Sequence, residues 1–277
     1  NFQFLTAKPL LILANIGDDQ IEKAAELETQ LNAKYGKSRC RAIALCSKLE
    51  MELAQLDDKE AEEMRDMGIK AFKVKVGIDP QKDIQVIKIL RENLGPEVLI
   101  YADANNAYTT STAIRTIRKM EEYGLEFMEE PIPRWDWKGR LKIAQAVSIP
   151  LMGDECVTTP QEAAREIGLG TIGIISIKTT RTGYTLSQKI AHMAEMGGIS
   201  CLMGTQAETD IGALASVHFG AAQRNIAYPS ENSYFLNLKD HLLQEPIQLQ
   251  DGTIILSRRP GNGVLIDENK LKRYRMD

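Results

Sequence analysis

The chain is poor in the residues that most often build metal centres and disulfide frameworks. Its 277 residues include three histidines and four cysteines. Cys40, Cys46, Cys156 and Cys201 lie far apart with no C-x-x-C pair, so they read as buried thiols, and a reducing, cytoplasmic setting is expected. His192, His218 and His241 do not cluster, and the first two fall on helical patterns and read as structural. No run of 18 apolar residues exists, which leaves no membrane-spanning helix and no membrane partner. The apolar stretch 10–14 is too short for a secretory core. An excess of charge of one sign is missing too: 34 Lys+Arg stand against 38 Asp+Glu, a net charge of −4. That balance argues against nucleic acid as a partner. What the chain does have is 43% hydrophobic and 26% charged residues, the composition of a globular protein with one large or two small domains.

Short β-type runs recur along it. They are RAIALCS (41–47), KAFKVKV (70–76), EVLIYAD (97–103), EFMEE (126–130), PLMGD (150–154), GIISIK (173–178), ISCLMG (199–204) and NIAYPSE (225–231). Amphipathic segments with helical periodicity separate them. Several of these open on Thr, Asp or Pro and close at Gly, as short helices do. Strand, helix and two short loops need about the 23 to 29 residues that separate successive run starts. Eight strands alternating with helices predict a parallel sheet, and a (β/α)8-type TIM barrel is favoured over an open doubly wound sheet. The barrel is expected at 41–231, after a segment of 40 residues and before a tail at 232–277. The tail reads as a turn-rich β excursion around Asp251-Gly252. Gly168 to Gly173 matches G-x-G-x-x-G but follows a helix and precedes a strand, so it predicts a turn and not a dinucleotide site.

In parallel barrels the reactive groups sit where strands end and βα loops begin. Six of the eight runs end in charge: Lys73 with Lys75, Asp103, Glu129 with Glu130, Asp154 with Glu155, Lys178, and Glu231. One charged strand end is usually solvated surface; six at matching positions predict a single rim. Asp103, Glu129 and Asp154 come from neighbouring runs and would repel one another unless a cation lay between them. Oxygen ligands without His or Cys favour Mg²⁺, with Mn²⁺ also compatible, over zinc. Lys73 and Lys75 share a face, and Lys178 comes from the opposite side of the barrel. Like charge and burial lower a lysine pKa, which would fit Lys75 as a base.

With these motifs in order, the chain resembles the enolase superfamily, in its muconate-lactonizing-enzyme-like subgroup. Lys73-Val74-Lys75 resembles the family's K-x-K, whose second lysine is the base. Asp103-Ala104-Asn105, Glu129-Glu130-Pro131 and Gly153-Asp154-Glu155 resemble the motifs carrying the three metal ligands, with Asn105, Glu130 and Glu155 beside them as supporting residues. Ile177-Lys178 resembles the second catalytic lysine, and Glu231 falls where the subgroup carries a glutamate near the substrate. Arg259-Pro260-Gly261-Asn262-Gly263 resembles the closing P-G-x-G turn.

The resemblance implies a modified (β/α)7β barrel and an N-terminal α+β cap, of which 1–40 would be a remnant and 18–36 the last helix. The start at Asn1 leads us to expect residues upstream. The tail would pack back on the barrel or cap. Tyr184 stands where many relatives have a second Gly, a change expected to alter only the loop after the sixth run.

The chemistry implied is abstraction of the proton alpha to a carboxylate, giving a metal-stabilised enolate. Catalysis would fall to Lys75, Lys178, Lys73 and Glu231, and Mg²⁺ would sit on Asp103, Glu129 and Asp154. A racemase/epimerase or cycloisomerase is favoured. A dehydratase (acid-sugar or o-succinylbenzoate-synthase-like) and a non-catalytic capless barrel are the alternatives. Glu231-Asn232-Ser233 is not the D-x-D of dipeptide epimerases, which disfavours that substrate class. A small-molecule carboxylate substrate and a homo-oligomer are expected.

Overall fold

A computed structural model describes residues 10–15, 24–35, 40–45 and 67–275. The chain divides into two compact units, Asn1–Ala61 and Glu62–Asp277. In the first, β1 (Leu10–Asn15), α1 (Ala24–Tyr35) and β2 (Cys40–Leu45) make a parallel βαβ unit, with Leu10 opposite Cys40 and Asn15 opposite Leu45. The 41–47 run, expected as the first barrel strand, therefore pairs with β1, and residues 46–47 lie outside the described ones. Both runs are short and apolar, and periodicity cannot choose between two neighbours of the same character. Only α1 is described from the stretch expected to form the last cap helix.

In the second unit six parallel strands lie side by side in chain order. They are β3 (Ala71–Lys75), β4 (Leu99–Asp103), β5 (Leu125–Glu129), β6 (Leu151–Gly153), β7 (Ile174–Ile177) and β8 (Ser200–Met203). Each is followed by a helix: α2 (Pro80–Leu94), α3 (Thr110–Glu121), α4 (Trp137–Ala146), α5 (Pro160–Leu169), α6 (Thr179–Met196) and α7 (Asp210–Ala222). The 225–231 run extends this order by one parallel bridge, Cys201 to Ile226, and by the Glu231 N–H donating to the Met203 carbonyl at 2.8 Å. Pro229 offers no donor within that run, which fits its sparse ladder. Lys73 on β3 meets Glu231 at 2.7 Å. Only a sheet that curls round on itself brings its first strand to its last run, so this is an α/β unit of the TIM-barrel type.

The helix signals are realised atom by atom. Asp79 before Pro80 accepts from the N–H groups of Gln81 and Lys82, and Thr159 before Pro160 accepts from Glu162 N–H. Gly170 closes α5 at φ 65° and leads to β7, which makes the glycine pattern there the expected helix-to-strand turn. Two apolar layers sandwich the sheet. Inside, Tyr101, Phe127, Met152, Ile174 and Leu202 come from five successive strands. Outside, Ile175, Ile177, Cys201 and Met203 pack against Ile190, Ala194 and Phe219 of the helices. Burial on both faces is what holds a parallel sheet.

The tail returns to the barrel, where Leu242 N–H donates to the buried Asp210 carboxylate at 2.9 Å. It carries the expected β excursion, β9 (Leu249–Gln250) and β10 (Thr253–Ile254), and ends in α8 (Glu268–Tyr274). The hairpin turn places Asp251 at φ 46° and Gly252 at φ 69°, as an Asp-Gly pair between two-residue-linked strands requires. A side chain at Gly252 would fall 2.2 Å from the Gly68 carbonyl oxygen, and one at Gly68 would fall 2.4 Å from Asp251. The hairpin thus lies backbone to backbone against the residue leading into β3. Among the described residues no helix is long and apolar enough to cross a membrane.

Candidate active site

The β4–β5 register sets Asp103 opposite Glu129, and β3–β4 sets Lys75 opposite Asp103. Asp154 follows β6, and Lys178 follows β7 as the residue before α6. Along five consecutive strands the rim therefore reads Lys75, Asp103, Glu129, Asp154, Lys178: three carboxylates flanked by two ammonium groups. The carboxylates are buried, Asp103 and Asp154 at 1% exposure and Glu129 at 0%.

Each carboxylate is matched by a cation. Lys75 Nζ donates to Asp103 Oδ2 at 2.5 Å and to Asn105 Oδ1 at 2.6 Å. Its side chain is 62% exposed, contrary to the burial expected of it. Lys73 Nζ lies 3.1 Å from Glu129 Oε2, 2.7 Å from Glu231 Oε2 and 3.6 Å from Asp103 Oδ2. The two lysines converge on Asp103 and so do share a face. Lys178 Nζ donates to Asp154 Oδ2, and Arg181 Nη1 donates to Asp154 Oδ1 at 2.7 Å.

These pairings decide the protonation balance. Burial works to lower the Lys73 pKa, but Glu129, Glu231 and Asp103 together outweigh it and hold the ammonium above the usual lysine range. Burial likewise pushes Asp154 up, yet Lys178 and Arg181 overcome it and leave the carboxyl below its ordinary value. For Glu129 burial wins: Lys73 opposes it, the neighbouring carboxylates add to it, and the group is raised.

The supporting residues tie the rim together. Asn105 N–H donates to Asp103 Oδ1 at 2.9 Å, and its amide Nδ2 reaches Glu155 Oε1 at 3.2 Å. Glu130 Oε1 accepts from Asp154 N–H at 2.8 Å and Cys156 N–H at 2.7 Å, gripping the loop that presents Asp154. Glu130 does so from φ 35°, a left-handed conformation uncommon for a glutamate. Burial and the adjacent Glu130 push the Cys156 thiol up, which suits an inert side chain rather than a nucleophile.

Three participants were not read from the sequence. Tyr101 OH donates to Glu231 Oε1 at 2.7 Å; its position two residues before Asp103 on one strand was the available signal. Arg181 lies one helical turn beyond Lys178, a spacing that faces the same way. Arg140, 1% exposed, stands 3.2 Å from Glu166 and 3.6 Å from Glu130. Tyr184, expected in a loop, lies within α6 just past the break at Gly183 (φ 65°), and its contacts extend further. It stacks on Phe219 at 6.0 Å, and its hydroxyl lies 3.1 Å from the Ala215 carbonyl and 3.2 Å from Asn262 Oδ1 in the tail.

Glu129 Oε1 is buried with no hydrogen-bond partner, an oxygen that a hard divalent cation would satisfy. The donor chemistry of Asp103, Glu129 and Asp154 fits such an ion. As placed, no three His, Cys, Asp or Glu side chains among the described residues are grouped to hold one, because each of these carboxylates is turned to a lysine or arginine.

Residues 57–270 match the family described as enolase C-terminal domain-like. The chain belongs to the enolase superfamily. Within it, the chain falls in the muconate-lactonizing-enzyme-like subgroup. It is 33% identical over 210 residues to an L-Ala-D/L-Glu epimerase of Bacillus subtilis, covering 74% of this chain and 57% of that protein. It is 31% identical over 206 residues to a muconate cycloisomerase 1 of Rhodococcus opacus, covering 74% and 55%. The structure of muconate lactonizing enzyme from Pseudomonas putida superposes with a TM-score of 0.76 at 28% identity, over 80% of this chain and 62% of that one. The chain thus spans less than two thirds of these superfamily members. The first two are isomerases by name.

Proposed function

We propose that the chain removes the proton alpha to a carboxylate of a small-molecule substrate and returns a proton, acting as a racemase/epimerase or cycloisomerase. The observation that carries this reading is the rim order Lys75, Asp103, Glu129, Asp154, Lys178, with proton-transfer groups at both ends of a carboxylate row. Asp103, Glu129 and Asp154 would hold Mg²⁺ or Mn²⁺. Bound there, the ion would neutralise charge developing on the substrate carboxylate, a contribution of several kcal/mol.

Lys75 is the base, and Lys178 returns the proton from the other end of the row. With only one of them transferring protons, the same site performs cycloisomerisation while the other remains a fixed cation. Lys73, clasped by Glu129 and Glu231, supplies positive charge beneath the substrate. Asn105 aligns Lys75 with Asp103, and Glu130 holds the Asp154 loop.

The test is exchange of the α-proton in D₂O on muconolactone, L-Ala-L-Glu and an N-succinyl amino acid, with Mg²⁺ and with a chelator. Exchange is expected with Mg²⁺ alone and should be lost in Lys75→Ala and Lys178→Ala. If no substrate exchanges, the enzyme reading fails in favour of a non-catalytic barrel. Unchanged turnover in either lysine variant would overturn the assignment of that lysine.

A further inference from the structure

We infer that Tyr101 is a positioning residue that sets the place of Lys73 by holding Glu231. The inference rests on the proposed function above. The run that Glu231 ends is tied to β8 through its backbone, by the bridge at Ile226 and by the Glu231 N–H on the Met203 carbonyl, but these bonds fix the main chain and leave the side-chain torsions to the groups that meet the carboxylate. Its two oxygens are divided between two donors: Oε1 accepts from Tyr101 OH at 2.7 Å and Oε2 from Lys73 Nζ at 2.7 Å. Lys73 has a flexible four-carbon stem and three carboxylates within reach, Glu231, Glu129 and Asp103. What decides among them is how firmly each carboxylate is held.

Tyr101 is the rigid member of this chain of contacts. It is 2% exposed, and its ring stacks on Phe127 with centroids 4.3 Å apart. Phe127 is braced in turn by Tyr228, edge-on at 5.1 Å. The ring belongs to the inner apolar layer, so the hydroxyl projects from packed core into the site. Without it, Glu231 Oε1 would lose its donor in a side chain only 5% exposed. The carboxylate would have to turn to find another, taking Lys73 with it. A buried carboxylate does not remain unpaired without cost.

Tyr101→Phe keeps the ring and its stack and removes only the donor. A crystal structure of the variant should show the Glu231 carboxylate turned and Lys73 Nζ displaced with it from its parental place beside Glu129. On whichever probe the parent chain exchanges, muconolactone, L-Ala-L-Glu or an N-succinyl amino acid, kcat should fall about ten- to a hundredfold. KM should change little. In a Glu231→Ala background, which removes the acceptor altogether, the same substitution should add nothing, because Tyr101 acts only through that carboxylate. Glu231 and Lys73 in their parental places in the variant crystal, or fully additive effects, would overturn the inference. No exchange by the parent chain would remove the proposed function alone, and the crystal comparison would still decide the role of Tyr101.

Discussion

Gly204, just past β8, lends itself to a test that separates packing from catalysis. A methyl group there would lie 2.3 Å from Ser176 Oγ, 2.8 Å from Lys178 Cε and 3.1 Å from Lys178 Cγ. Neither neighbour has room: Ser176 is buried in the barrel, and Lys178 is tethered at its tip to Asp154. Overpacking of this kind costs about 1–3 kcal/mol. In a unit of this size that lowers Tm by about 2–12 °C. Pushing the Lys178 stem aside should also misplace its ammonium, and a displacement of about 1 Å lowers turnover roughly a hundredfold.

Ser176 provides the control. Its hydroxyl is buried without a partner, so removing it leaves no other group unsatisfied. Gly204→Ala combined with Ser176→Ala relieves the shortest contact and should restore most of the Tm, while the contact at 2.8 Å keeps activity low. Calorimetry and the α-proton exchange assay read the two effects separately. If Gly204→Ala matched the parent in both, the space would not be reserved for Lys178. If the double variant recovered activity together with Tm, the damage would run through Ser176 alone.

Other outcomes follow from the same geometry. Mg²⁺ should raise Tm in proportion to the logarithm of its concentration above Kd, and Glu129→Gln should abolish the rise in a thermal-shift titration. Arg140→Met leaves Glu130 buried without its cation and Glu166 with Arg165 alone, and should cost about 3–5 kcal/mol in urea denaturation; Arg140→Lys should not restore it, lacking the fork. Burial raises the Asp83 pKa against the hydrogen bonds from Tyr108 and Gly77. A raised acid contributes stability below its unfolded pKa and loses that contribution as pH rises through the folded one. The urea midpoint of the parent relative to Asp83→Asn should therefore decline from low pH upward through the carboxylate range. An identical pH dependence would exclude Asp83 as the cause.

The placement of much of the candidate site could be read from the sequence because strand ends have a fixed address in a parallel barrel. A charged residue closing six of the eight apolar runs points to the rim whatever the helices do, and Lys75, Asp103, Glu129, Asp154 and Lys178 stand at the ends of successive strands there. Strand partners were less legible. The 41–47 run has the right length and character for a barrel strand, but pairing depends on tertiary neighbours, and β1 provides one. Tyr101 was hidden for a different reason. Inside a run of Leu, Ile and Ala it looks like core, and it is core by its ring; only its hydroxyl belongs to the site. The exposure of Lys75 likewise depends on loops whose paths periodicity does not describe.

The glycine-to-glycine contact between Gly68 and Gly252 has a consequence for how the chain matures. Residues 184 positions apart must meet before the entrance to β3 is covered, a closure of very long range that comes late in folding. On the ribosome, α2 to α7 are synthesised before the hairpin emerges, so the approach to β3 at Gly68 waits for the tail. Deleting the hairpin should then leave the helices and the β3–β4 pairing formed while the backbone about Gly68, ahead of β3, exchanges its amide hydrogens freely.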